Sequence, residues 1–141
     1  MELMLDTANL AEIKDGLANW PICGITSNPS ILKKEGNIDV YARLAEIKAL
    51  LGDDKTLHVQ VVSTETQAII TEAHEILRRL GNDVCIKIPV STAGIGAIKA
   101  LAAEGVTVTA TANQGYKLDK IIATDGTNTS DITQDLAFYM P

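Results

Sequence analysis

The chain has 141 residues, 46% of them apolar, which fits one domain with a substantial core and is too short for two. A net charge of −6 and the lack of a Lys/Arg stripe argue against a nucleic-acid partner, so a small metabolite fits better. No apolar run approaches the roughly 20 residues of a membrane span, and no leader pattern opens the chain, so we expect a soluble, cytoplasmic protein with no membrane partner.

Five short apolar runs rich in Val, Ile, Leu and Thr predict β-strands. In chain order they cover residues 2–5, 23–26, 57–62, 84–88 and 106–110. Between them, apolar residues recur three or four positions apart, which predicts four amphipathic helices. These helices cover 10–17, 40–51, 69–80 and 95–101.

Local signals mark where these helices begin and end. Asn9 precedes Glu12 by three residues, and Thr64 precedes Gln67 by three, which is the spacing of a capping box. A glycine follows each of the last three helices, as is typical of helix C-termini. These glycines are Gly52, Gly81 and Gly105.

Alternating strands and helices predict a parallel sheet covered by helices, either an open doubly wound sheet or a (β/α)8 barrel. Both architectures gather functional residues at the carboxyl ends of the strands. The polar residues predicted there are Asp6, Thr7, Asn28, Ser30, Gln60, Lys87, Thr109 and Thr111.

Lys87 lies in the middle of an apolar strand, where an ammonium group is costly to bury. Burial lowers the pKa of a lysine, and the neutral amine can then attack a carbonyl. The alternative is a lysine on an edge strand whose ammonium extends to solvent.

Three other candidates also have structural interpretations. Asp6 could cap the helix that follows it, and Gln60 could face solvent. The Asn28-Pro29-Ser30 sequence could be a turn with proline at the first helical position.

The remaining polar motifs indicate neither a metal nor a cofactor. Cys23 and Cys85 lie in apolar runs without CxxC spacing and are interpreted as buried hydrophobic residues. His58 and His74 lack ligand partners at useful spacing and are predicted to be structural or exposed. The glycines around Ile95 do not form a dinucleotide loop, because the third glycine is missing and the segment lies within a helix.

The pattern changes after Ala112. Residues 113–141 hold three of the five aromatic residues of the chain, Tyr116, Phe138 and Tyr139, and a wholly polar stretch at 124–131 that predicts no buried strand. Short helices are predicted at 117–122 and 131–139. We therefore divide the chain into a first part, 1–112, and a divergent tail, 113–141.

Five motifs together resemble the small transaldolase family, which includes fructose-6-phosphate aldolase. They are LDTAN at 5–9, GITSNPS at 24–30, HVQV at 58–61, IKIPV at 86–90 and TVTATA at 107–112. The resemblance covers residues 1–112, and it implies a (β/α)8 barrel, present here as about five βα units.

The resemblance also implies roles for individual residues. Lys87 would form a Schiff base with a ketose, and Asp6 would handle protons on the substrate hydroxyls. Thr111 would help to position a catalytic water. The residues assigned to substrate binding are Thr26, Asn28 and Ser30. Gln60 favours the aldolase branch, because true transaldolases have glutamate there.

Residues 113–141 depart from the family pattern. Family members continue with three more strand–helix units, which carry a proton-transferring tyrosine and the arginine and serine that hold the substrate phosphate. We find no counterpart in this tail, which is interpreted as truncated, rearranged or frame-shifted.

We therefore expect a ketose-phosphate aldolase that uses Lys87 and is impaired by truncation. One alternative is a true transaldolase that transfers a dihydroxyacetone unit, and another is a non-catalytic barrel fragment that acts as an assembly or binding module. A response-regulator-like open sheet is disfavoured by Gln60 and by the lone Asp6.

Five parallel strands cannot close an eight-stranded barrel, so the fifth strand would present an open edge. We expect either a homo-oligomer or coverage of this edge by the tail. The tail residues predicted to cover it are Tyr116, Ile121, Ile122, Phe138 and Tyr139.

Overall fold

The computed structural model describes residues 3–112 and the backbone of two short strands at 122–124 and 129–131. The first five strands are β1 (Leu3–Asp6), β2 (Ile22–Ser27), β3 (Thr56–Gln60), β4 (Cys85–Pro89) and β5 (Val108–Thr111). The helices are α1 (Leu10–Asn19), α2 (Pro29–Lys34), α3 (Val40–Leu51), α4 (Thr66–Leu80) and α5 (Thr92–Ala103). None of these helices is both long enough and apolar enough to cross a membrane.

The strands form one parallel sheet in the order β1-β2-β3-β4-β5. A doubly wound sheet reverses its strand order at a switch point, whereas a (β/α)8 barrel adds each strand beside the previous one. The sequential order decides between the two predicted architectures, and the sheet is a partial barrel wall.

The two faces of the sheet differ sharply in polarity. On one face, Leu5, Ile25 and Ile86 pack against the helices, with Ile25 and Ile86 fully buried. Two glycines allow this close packing, because a Cβ on Gly16 would overlap Leu5 and a Cβ on Gly94 would lie 3.3 Å from the Ile88 side chain. The helix-facing side therefore holds most of the apolar core.

One of the two predicted capping boxes gives the correct N-cap residue, but Glu12 does not complete the box, because its carboxylate accepts from the Thr7 hydroxyl and the backbone N–H of Asn9 donates to Oγ1 of Thr7. The side chain of Asn9 accepts hydrogen bonds from the backbone N–H groups of Ala11 and Glu12, so Asn9 caps α1 as predicted. The prediction for Thr64 was wrong, because Glu65 is the N-cap of α4. The neighbouring Thr66 hydroxyl instead donates to the carbonyl of Ala93 and ties α4 to α5.

The end of β3 also differs from the prediction, which extended this strand to Val62. The Glu72 carboxylate accepts hydrogen bonds from the backbone N–H groups of Val62 and Ser63, at 2.9 and 2.8 Å. β3 ends at Gln60, and after a last backbone hydrogen bond from Val61 N–H to the Lys87 carbonyl the chain leaves the sheet.

The tail contains two short strands, and the helices predicted at 117–122 and 131–139 lie, except for Ile122 and Asp131, outside the described residues. β6 (Ile122–Thr124) pairs antiparallel with β7 (Thr129–Asp131). The backbone N–H and C=O groups of the two strands bond to each other, so this pairing needs no apolar sequence. The other tail residues predicted to cover the edge of β5 lie outside the described residues.

Gly94 and Gly96 provide a matched test of packing at the start of α5. Alanine at either position raises helix propensity equally, but a Cβ at Gly94 would overlap the backbone oxygen of Pro89, whereas a Cβ at Gly96 would lie 3.2 Å from the flexible Thr66 side chain. We expect Gly94→Ala to lower the free energy of unfolding by roughly 1–3 kcal/mol relative to Gly96→Ala. Urea denaturation measures the difference, and equal stability of the two variants would contradict this packing.

Candidate active site

The strand register brings the predicted site residues to one face of the sheet. Residues directly opposite each other in neighbouring parallel strands point to the same face, as do residues two apart in one strand. Asp6 pairs with Thr26, Gln60 pairs with Lys87, and Lys87 pairs with Thr109. His58 pairs with Thr26 and precedes Gln60 by two, which links the two sets. This polar face lies opposite the helix-packed face.

Lys87 is buried on this face, with 5% of its surface exposed. Its Nζ donates a hydrogen bond of 3.4 Å to Oγ1 of Thr26, which lies on β2, so the lysine side chain crosses over the intervening strand β3. Burial lowers the pKa of Lys87, and the Asp6 carboxylate partly opposes this effect. The alternative interpretation, a lysine on an edge strand whose ammonium extends to solvent, is therefore wrong.

Asp6 ends β1 at the carboxyl edge of the sheet. Its side chain is partly open to solvent, yet the surrounding protein removes enough water to raise the pKa of its carboxyl group, while Lys87 and Lys34 act in the opposite direction. Because Asn9 caps α1, Asp6 does not have the capping role that the sequence left open.

Gln60 and Thr111 lie at the carboxyl ends of β3 and β5, and both are half-buried. Gln60 is directly opposite Lys87, and Thr111 is opposite Pro89, two residues beyond the lysine. The two residues therefore lie on the strands on either side of Lys87, at the end of the sheet from which a substrate would approach in a barrel.

Asn28 has the structural role that the sequence left open. Its side-chain oxygen accepts a 3.0 Å hydrogen bond from the backbone N–H of Ile31 and caps α2, with Pro29 at the first helical position. Ser30 is exposed in the first turn of the same helix. Both still lie at the carboxyl end of β2, which is the end of the sheet where Gln60 and Lys87 lie.

His58 is the residue on this face that sequence reasoning did not assign to the site. It is 3% exposed, and its Nδ1 lies 3.5 Å from Oγ1 of Thr109. Burial, together with the positive charge of Lys87, lowers the pKa of His58 to about 4. Its position two residues before Gln60 in one strand was the signal that could have placed it on this face.

The sheet must be concave on the polar face. His58 on β3 and Thr109 on β5 have short side chains, yet they meet across strands that are about 10 Å apart in a flat sheet. The contact between Lys87 and Thr26 spans two strand spacings in the same way. Concave curvature with polar residues inside is the arrangement of a barrel interior.

The hollows of the described region lie mainly among the helices and at the carboxyl end of the sheet. Two of them, each about 370 Å³, flank the carboxyl end of β3 and include Gln60 in their lining. The first extends between α2 and α3 on the helix side and is mostly apolar, away from Lys87. Lys87 is the candidate nucleophile of this region, because a buried amine of lowered pKa has the chemistry to attack a carbonyl and the apolar lining of this hollow does not.

Comparison with known proteins gives an independent result. A sequence model described as "Transaldolase/Fructose-6-phosphate aldolase" matches residues 3–115. The chain is 48% identical over 112 residues to a probable fructose-6-phosphate aldolase of Streptococcus pneumoniae, a match that covers 79% of this chain and 50% of that protein. It is 38% identical over 106 residues to a probable transaldolase of Caldicellulosiruptor saccharolyticus, covering 75% of this chain and 47% of that protein. The chain thus spans about half the length of these curated relatives.

Replacing Lys87 tests the cost of burying its amine. A lysine whose pKa is lowered by folding destabilises the fold when it is protonated, and this cost disappears as pH rises toward the unfolded value of 10.5. We expect Lys87→Met to raise the free energy of unfolding by about 1 kcal/mol at pH 7, and by less near pH 10. The exposed Lys99→Met is the control, and urea denaturation at both pH values is the measurement. A loss of stability at pH 7 would show that the amine is not destabilising.

Proposed function

Because the chain belongs to the transaldolase/fructose-6-phosphate aldolase family, we propose that it performs class I aldol chemistry on ketose phosphates through a Schiff base at Lys87. The single observation that carries the proposal is the buried Lys87, whose pKa is lowered and which faces a concave polar surface. Lowering the pKa raises the fraction of neutral amine, which is the form that attacks a carbonyl.

In the proposed reaction, the neutral amine of Lys87 adds to the ketose carbonyl, and loss of water gives an imine. Once the imine is protonated and the substrate hydroxyl beside the scissile bond loses its proton, the imine accepts the electron pair of that carbon–carbon bond, and the aldehyde leaves an enamine on Lys87. Protonation of the enamine and addition of water then release the ketone fragment and the free amine. The same steps in reverse form the bond. The polar face supplies groups for the proton transfers that these steps require.

Asp6 is proposed to move protons at the substrate hydroxyls. Its raised pKa supports this role, because a carboxyl group exchanges protons best when its pKa approaches the working pH. Gln60 and Thr111 are proposed to hold a catalytic water near the imine. Their positions beside Lys87 on the two neighbouring strands support that role.

The residues after β2 are proposed to bind the substrate. Thr26 already contacts the Lys87 amine, and Ser30 is exposed at the same edge of the sheet. Asn28 uses its oxygen to cap α2, which leaves its amide nitrogen as the group that could donate to a ligand. The Asn28 side chain would then cap α2 with its oxygen and bind substrate with its nitrogen.

Gln60 favours aldolase over transaldolase chemistry. A glutamate could take a proton from the catalytic water, whereas an amide can only orient it. Of the two relatives, the more similar carries the aldolase name and the less similar the transaldolase name. Transfer of a dihydroxyacetone unit is the second candidate reaction.

Reductive trapping tests the Schiff base directly. Borohydride delivers hydride to the imine carbon and converts the linkage to a stable secondary amine, which mass spectrometry of the digested chain locates. We expect dihydroxyacetone or fructose 6-phosphate to label Lys87, and Lys87→Met to abolish this label while Lys99→Met retains it. Equal labelling of several surface lysines, with none on Lys87, would favour a non-catalytic binding module.

We also expect the 141-residue chain to cleave fructose 6-phosphate slowly or not at all, even where trapping succeeds. Residues 113–141 show no counterpart of the phosphate-binding and proton-transfer residues implied by the resemblance, and lost positioning can remove many powers of ten in rate. A coupled assay of glyceraldehyde 3-phosphate release provides the measurement. A turnover rate ordinary for an enzyme, about 10 per second, would contradict this expectation.

A further inference from the structure

Two cross-strand contacts on the polar face interlock around Lys87. The lysine originates on β4 and crosses β3 to reach Thr26 on β2. His58 originates on β3 and crosses β4 to reach Thr109 on β5. Each side chain therefore passes over the strand that carries the other.

The register determines where the two side chains pass each other. Lys87 begins level with Gln60, and its amine ends beside Thr26, which is level with His58. His58 begins level with Cys85 and ends beside Thr109, which is level with Lys87. The imidazole thus lies on the amino-terminal side of the lysine stem, toward β5.

Thr109 holds the imidazole in this position. Oγ1 of Thr109 donates to the backbone carbonyl of Ile86 at 3.5 Å, and a hydroxyl has only one proton to donate. Oγ1 of Thr109 lies 3.5 Å from Nδ1 of His58 as well, and an imidazole that carries its proton on Nδ1 can donate to the hydroxyl oxygen while the hydroxyl donates to Ile86. A neutral imidazole protonated at Nδ1 fits this arrangement.

We propose that His58 is a positioning residue for Lys87, a neutral imidazole anchored by Thr109 that confines the lysine side chain to its path across β3. With the imidazole in place, the lysine cannot fold back toward β5, and its amine is held beside Thr26, on the side of the face where Asp6 lies. The imidazole also fills space beside the lysine stem that water would otherwise occupy.

The charges on this face are consistent with a neutral histidine. Among the described residues, the titratable side chains that share the face are Asp6, His58, Cys85 and Lys87. Burial raises the pKa of the Cys85 thiol, and burial with the nearby ammonium lowers the pKa of His58 to about 4. Near neutral pH, His58 therefore adds no charge that would repel the protonated amine.

The first measurement needs no substrate. Lysine labelled with ¹³C at Cε reports the titration of each amine by NMR, and Lys87→Met assigns the Lys87 signal. We expect His58→Ala to raise the pKa of Lys87 toward that of an ordinary lysine, because water enters the vacated space. His74→Ala, at an exposed histidine that contacts Glu104, is the control and should leave the Lys87 titration unchanged.

Asparagine provides the conservative rescue. Its amide nitrogen is as many bonds from Cα as Nδ1 of histidine, so His58→Asn can still donate to Thr109. We expect His58→Asn to restore much of the low Lys87 pKa that His58→Ala loses. Circular dichroism establishes that each variant is folded, and His58→Asn keeps the test available if the alanine variant does not fold.

The second measurement is the rate of borohydride trapping, and in this readout the role of His58 rests on the proposed function. We expect His58→Ala to slow trapping on Lys87 by roughly ten- to a hundredfold, and His58→Asn to recover most of that rate. If no ketose is trapped even by the unchanged chain, the Schiff-base proposal fails, while the NMR titration still tests His58. An unchanged Lys87 titration in folded His58→Ala, or a folded His58→Asn that behaves like His58→Ala, would overturn the positioning role.

Discussion

The burial of one amine on a concave sheet face is the constraint on which the site depends. A lysine in an apolar strand is tolerated only if polar groups meet its amine, and those groups come from other strands. Thr26 on β2 supplies the hydrogen bond to Lys87, and Asp6 on β1 supplies an opposing charge. Curvature of the sheet makes these contacts possible, because it brings side chains two strands apart within reach.

The two faces of the sheet hold different kinds of residue: one holds the apolar core, and the other holds the candidate site residues. The helix-facing side is almost wholly apolar, and it packs α1, α3, α4 and α5 against the strands. One polar atom interrupts it, since the buried hydroxyl of Ser27 has no hydrogen-bond partner among the described residues. The opposite face carries the costly groups, a lysine and a histidine that both have lowered pKa values. The apolar packing between the helices and the sheet stabilises the fold enough to offset the cost of burying these two side chains.

The parallel pairing of the strands brings residues from separate sequence motifs together on one surface. Each strand contributes one or two polar residues near its carboxyl end, and sequential strand order sets them side by side. Gln60 is the position at which the proposed aldolase and transaldolase reactions would differ, because an amide and a carboxylate differ in their ability to accept a proton from water.

Local patterns in the sequence were sufficient to predict the five parallel strands, four of the helices and the strand origin of each candidate residue. Apolar periodicity, Asn9 and the helix-terminal glycines are short-range signals that act within one turn or strand. The tertiary structure decided what depends on relations between strands: the sequential order that identifies a barrel wall, the path of Lys87 to Thr26, and the place of His58 beside it. It also assigned the Asn28 oxygen to capping α2 and formed a hairpin from the polar tail. The strand order, the path of Lys87 and the place of His58 depend on register and curvature, which join residues far apart in the chain and leave no mark on the sequence near any one of them.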